Sequence, residues 1–250
     1  MNQEKIKQLA RLLKKLNSGQ ITEELKQEAK EFLSDLNPAE LSMAEQELIK
    51  AGLKPEDLRH LCSAHIEMLQ GGLRQKSELP AGHMIDTLQK EHEIILSFLD
   101  KLEAVNQKIQ AMETFKSGGK EWTELKHITE HLIGAEPHHQ REEQILFPEL
   151  EKRGVFGPPQ VMLQEHEELR KHKHELERLG QEIGMRDFND FKKQLNANVK
   201  FLIFNLRDHI FKENNILYPT ALEVISEHEA WHAMKEKADK IGYCCFTPKR

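Results

Sequence analysis

Two stretches decide the fold of this chain: HHQREEQILFP at 138–148 and HIFKENNILYP at 209–219. Superposed with an offset of 71, they pair His138 with His209, Glu142 with Glu213, Ile145 with Ile216, Leu146 with Leu217 and Pro148 with Pro219. A second pair matches as well, EHE at 91–93 and EHE at 165–167, offset 74. The order EHE, HxxxE, EHE, HxxxE is that of a duplicated helical hairpin. Four residues turn an α-helix through about 400°, so both side chains of His-x-x-x-Glu leave one face, a turn apart.

Working outward, apolar residues recur at helical spacing and predict long helices over 84–112, 120–153, 158–183 and 187–225. TFKSGGK, RGVFGP and GMRD separate them. A fifth helix is expected from Ser226, whose Ser-x-x-Glu229 spacing fits a capping box, to about Lys240. The tail IGYCCFTPKR reads as irregular. Before residue 71 the elements are shorter. Ile6, Leu9, Leu12, Leu13 and Leu16 form one stripe, Thr22 caps a second helix, Asn37-Pro38-x-Glu40 opens a third and Pro55 a fourth. GGLRQKSELPAGH at 71–83 is the best linker. The expected class is all-α: an N-terminal bundle of short helices (1–75), an up-down-up-down four-helix bundle (84–225), then a C-terminal helix and tail (226–250).

Composition narrows the function. The 250 residues carry a formal net charge of −6, which argues against a nucleic-acid partner needing a basic face. The most apolar run, FLIFNL at 201–206, is flanked by Lys200 and Arg207 and is far too short for a membrane span. The N-terminus lacks a signal-peptide core. Three cysteines, Cys62, Cys244 and Cys245, make no disulfide framework and point to a reducing, cytoplasmic setting.

The 14 histidines carry the chemistry. In a four-helix bundle the repeat sets His138 and Glu142 opposite His209 and Glu213 about a pseudo-twofold axis, with His92 and His166 on the complementary helices. Four nitrogens and two oxygens are too many for one tetrahedral zinc. They suit two cations bridged by carboxylates, where this donor set favours iron or manganese. A lone His-x-x-x-Glu is most often a solvated i,i+4 pair; two copies in register, each followed by the same apolar-Leu-aromatic-Pro segment, oppose that reading. His127 and His131 share a face with 138 and 142 if the helix is straight, although Pro137 is expected to kink it. His139 with Glu143 offers a second frame one residue on. His172 and His228 read as surface residues. Cys62 and His65 read as a buried thiol beside a structural histidine, and Cys244-Cys245 as either a redox pair or incidental. Phe147, Phe201, Phe204 and Tyr218 read as core around the site.

These residues resemble the hemerythrin-like, HHE cation-binding family over about 84–225. LSMAEQELIKAGLKPEDLRHLCSAH at 41–65 resembles the DUF438 domain, an uncharacterised helical unit found before such bundles. LFPELEKRGVFGPPQVM and KIGYCCFTP are similar to the combined architecture. The resemblance implies a centre of two non-haem irons, ahead of manganese or zinc, held by His92, His138, Glu142, His166, His209 and Glu213, with the two glutamates bridging. Oxygen-carrying members have a histidine four residues after the helix-C histidine; here Arg170 stands there, and it is expected to pair with Glu142 or Glu167 or to point outward. The implied function is a cytoplasmic protein that senses or handles oxygen, nitric oxide or iron, a binding protein more than an enzyme. Its N-terminal domain would offer a partner surface. The alternatives are iron–sulfur-cluster repair under nitrosative stress, whose proteins usually carry a cysteine-bearing N-terminal segment this chain lacks, and a structural or iron-storage site.

Overall fold

The computed structural model describes residues 79–80 and 82–248, together with positions 7, 8, 11, 12, 15, 22, 24, 47 and 52. The four short N-terminal helices as elements, and Cys62 and His65, lie outside the described residues. Among the described residues there is no strand. The helices are α1 (Met84–Gln110), α2 (Lys120–Ile133), α3 (Glu136–Arg141), α4 (Phe147–Glu151), α5 (Gly157–Gln181), α6 (Phe188–Lys212), α7 (Tyr218–Val224) and α8 (His228–Ile241). Two π-helical segments, Glu142–Leu146 and Glu213–Leu217, join α3 to α4 and α6 to α7.

The second and fourth long helices are therefore not continuous, and proline is the physical reason. Pro137 has no N–H to return to the Ile133 carbonyl, and the chain steps out of the helix at Gly134 and Ala135 before α3 begins. Pro148 and Pro219 sit in the first turn of α4 and α7. They leave the carbonyls of Gln144 and Asn215 without i+4 donors, and the preceding turn widens to π spacing in both repeats. The fifth helix starts at His228: the Glu227 carbonyl accepts from the amides of Ala230 and Trp231, while Ser226 stays outside.

The chain divides into two compact units. One comprises 80–142, 165–210 and 234–250 and holds the four-helix core. Lys108 near the end of α1 meets Glu124 near the start of α2, so these helices run antiparallel. Asn106 bonds Asn196, and Arg207 reaches back to Asp100, so α1 and α6 are antiparallel too. Leu99 and Leu102 of α1, Leu125 of α2, Leu176 of α5 and Leu195 of α6 share one apolar cluster and are fully buried. Each contributes about 1.5–3 kcal/mol of burial. Trp122 closes one end against Phe188 and Phe191, its indole N–H donating to the Lys116 carbonyl. Gly184, at φ +79, packs under Phe115, where a Cβ would clash.

The other unit includes 143–164 and 211–233. Within it Arg153 pairs with Glu149 and Glu227, and the Trp231 indole donates to the Ile225 carbonyl. Tyr218 and Phe147 are buried as expected. Phe204 in the first unit is not: it is 66% exposed. It lies between the core positions of α6, so its membership in a core around the site is corrected. Among the described residues no helix is long and apolar enough to cross a membrane.

Candidate metal centre

The buried stripe of α1 runs through Leu88, Glu91, His92, Ile95 and Leu99. An acid and an imidazole thus sit in an otherwise apolar stripe, where an unpaired polar group costs several kcal/mol. Glu165 and His166 interrupt α5 in the same way, one turn before buried Leu169. His138, His139 and Glu142 come from α3 and the first π residue, and His209 from α6. His92, His138, His139, Glu142, His166, His209 and Glu213 are each at most 2% exposed.

Within the four-helix unit the imidazoles of His92, His138, His139, His166 and His209 form two neighbouring groups, and the Glu142 carboxylate reaches one member of each. Nε2 of His92 and Nε2 of His138 face one another at 3.0 Å. Two nitrogens at right angles on one cation, each about 2.1 Å from it, lie about 3 Å apart, so this spacing fits shared coordination. Oε2 of Glu142 is 3.5 Å from Nε2 of His138 and 3.5 Å from Nε2 of His166, a position between two sets of donors. The His139 ring stacks on His166 at 4.0 Å and 13°, and His209 meets His166 edge-on at 4.7 Å. Ligand atoms of His139, His166 and His209 all lie within 4.8 Å of one another. Burial first, then the charges of Lys173 and the neighbouring imidazoles, drive the His139 pKa well below its ordinary value. A neutral imidazole is the form that binds metal. Glu213 follows His209 by one helical turn and is wholly buried.

The donor set is oriented by a further layer that sequence reading left unassigned. Oε2 of Glu91 accepts from Nδ1 of His138 at 2.8 Å, and Oε2 of Glu165 accepts from Nδ1 of His209 at 2.8 Å. Each bond directs the remaining nitrogen, Nε2, toward the cluster. The signal was present in the duplicated EHE, whose first glutamate repeats as faithfully as its histidine; its partner on another helix could not be read from spacing. Burial alone pushes the Glu91 carboxyl up. The His138 hydrogen bond and charge, the Arg141 guanidinium and the Thr247 hydroxyl reverse this and hold it at about 2.

Several expectations change. His127 is exposed, and His131 bonds the His127 carbonyl and packs against Phe98 and Phe246; the break at Gly134 takes both off the face of His138. Arg170 takes a partner that the sequence did not suggest. It forks onto Glu136 through Nε and Nη2 at 2.8–3.2 Å. His172 is half-buried rather than solvated, stacked on Phe201 and bonded to Asn198. His228 is exposed, as read. Cys244 is buried and Cys245 exposed.

Buried imidazoles and carboxylates converging from four helices define a cation-binding helical bundle. Over residues 83–221 the chain matches the model of the hemerythrin HHE cation binding domain, and it belongs to the hemerythrin family. Residues 9–75 match a family of unknown function, DUF438. No curated protein matches the chain.

Proposed function

We propose that the chain is a cytoplasmic non-haem di-iron protein that binds and responds to oxygen or nitric oxide. His92, His138, Glu142, His166, His209 and Glu213 are its ligands, and His139 joins them. One observation carries the reading: the uneven sharing of imidazoles, with His139, His166 and His209 in one cluster and His92 facing His138 in another. A cation held by three imidazoles and shared carboxylates is more nearly saturated than a neighbour held by two. The poorer end keeps a position for a small ligand. Mixed imidazole and carboxylate donors favour iron over a soft metal.

Two ferrous ions held there would supply electrons to oxygen and an open position to nitric oxide. The chain's own residues do the rest. Glu91 and Glu165 lock the tautomers of His138 and His209, with the proton kept on Nδ1. Ile95, Leu169 and Ile210 lie within a turn of the donors and keep bulk water out. A DUF438-like N-terminal domain carrying the response to a protein partner completes the proposal.

The test is metal analysis with optical spectra of protein purified anaerobically from iron-replete cells. About two irons per chain are expected, with new visible absorption on adding nitric oxide and a further change in air. One tightly held zinc and no iron would overturn the di-iron reading. Two irons with no spectral response to either gas would leave a structural or storage role.

A further inference from the structure

The segment after α8 lies beyond both family matches, which end at 75 and 221, yet it converges on the side chains that orient His138. Gly242, at φ +94, turns the chain back at the end of the helix. The Tyr243 ring covers the Arg141 guanidinium at 4.8 Å, and buried Cys244 places its sulfur 3.9 Å from Nη2 of Arg141. Phe246 packs edge-on to Phe98 at 5.7 Å, anchoring the turn in the core. Thr247 then donates its hydroxyl to Oε1 of Glu91. Arg141 Nη2 donates to both oxygens of the same carboxylate, at 2.7 and 2.6 Å. Glu91 is thus held by Thr247 and Arg141 on one side while it holds Nδ1 of His138 on the other.

The repeat shows the frame that this segment joins. Both halves have a glutamate bonded to Nδ1 of the HxxxE histidine, Glu91 with His138 and Glu165 with His209. Both have a buried cation three residues on, Arg141 and Lys212. Thr247 bonds the glutamate of the first half, Glu91.

We propose that Tyr243–Thr247 is a positioning strap: Thr247 directly, and Tyr243 through Arg141, fix Glu91 so that His138 is presented rigidly to the cation it shares with His92. The strap makes retention of that cation depend on a segment outside the shared family fold. The proposal rests on the metal reading above, and its test separates the two. In metal-free full-length protein the strongly hydrogen-bonded Nδ1–H of His138 gives a downfield proton resonance. Thr247→Val, which removes the hydroxyl at constant shape, is expected to speed its exchange with solvent about tenfold, and Thr247→Ser to restore the parent rate. In iron-loaded protein challenged with a chelator, Thr247→Val is expected to release one of two irons about tenfold faster, within the usual cost of losing an outer partner of a metal ligand. The second iron should leave at the parent rate, and Thr247→Ser should again restore both. Parent-like exchange and release in Thr247→Val would overturn the strap, as would a Ser variant that behaves like Val. A parent that takes up no cation would defeat the metal reading alone, since the exchange experiment still decides the strap.

Discussion

The two His-x-x-x-Glu segments share a frame and differ in one buried slot. The residue after the histidine is His139 in the first copy and Ile210 in the second, both at 2% exposure. One slot holds an imidazole stacked on His166; its counterpart holds an aliphatic side chain in the apolar cluster. The frame itself is repeated faithfully: a histidine, a glutamate that opens a π segment, and a proline that starts the next helix. Duplication supplies symmetrical places for donors, and the departures from symmetry decide how those donors are shared.

The largest effect should come from breaking what the copies hold in common. Glu142 stands 3.5 Å from imidazoles of both clusters. Glu142→Ala removes that shared acceptor and is expected to lower bound iron from about two to fewer than one per chain, by metal analysis of desalted protein. Retention of both irons would show that Glu142 does not bridge.

Next comes the slot where the copies differ. His139→Ile makes the first copy match the second, and isoleucine already packs at the equivalent buried place, so the fold should survive with a parent-like helical signal. Affinity for one iron should fall by more than the ~10–100-fold that loss of an outer partner costs. The other iron should be unaffected. Equal weakening of both would show that His139 acts on packing and not as a donor.

A smaller effect tests the symmetry of the orienting carboxylates. Glu91→Gln and Glu165→Gln each replace a carboxyl acceptor with an amide, and each should weaken one iron about 10–100-fold. For Glu91 the pH response in the metal-free protein follows from its environment. Glu91 has its folded pKa depressed to about 2. The stability this contributes is fully present above the ordinary carboxylate pKa of 4.5 and is lost as pH falls from there toward 2. Glu91→Gln should flatten that part of the acid unfolding curve, read by circular dichroism. An unchanged curve would remove Glu91 from the pH response.

Much of this was legible in the sequence because duplication converts weak signals into strong ones. The offsets of 71 and 74 place four helices and six candidate donors without knowledge of any contact. The helix breaks were only half legible. Pro137 announced a kink, but the π segments depend on where the preceding carbonyls lose their donors. His139 was visible as the second HxxxE frame. Helical periodicity separates adjacent side chains by about 100°, and it cannot show that both directions end among imidazoles. Pairs across helices were beyond reach: Glu91 with His138 is 47 residues apart, and Thr247 with Glu91 is 156. No local pattern encodes such distances.

Arg170 offers the finest test of the asymmetry, and the smallest expected effect. The resemblance to oxygen-carrying members implies a lost ligand at its place four residues after His166, one that Arg170→His would restore. The structure supplies a different arrangement: His139 stands beside His166 and His209, while Arg170 forks onto Glu136 at the start of α3. Both members of that pair are half-buried, and a partly solvated ion pair contributes up to about 1 kcal/mol. Arg170→His should therefore cost no more than about 1 kcal/mol, measured by chemical denaturation. It should leave iron content and the lifetime of any oxygen adduct in stopped-flow mixing at parent values, because the slot it would fill is taken. In a His139→Ile background the same substitution should behave differently: with the slot emptied, Arg170→His is expected to recover part of the lost iron. Recovery in the double variant together with silence in the single one would identify His139 as the substitute for the missing histidine. A longer-lived adduct in the single variant would show that a coordination position near His166 had been vacant all along.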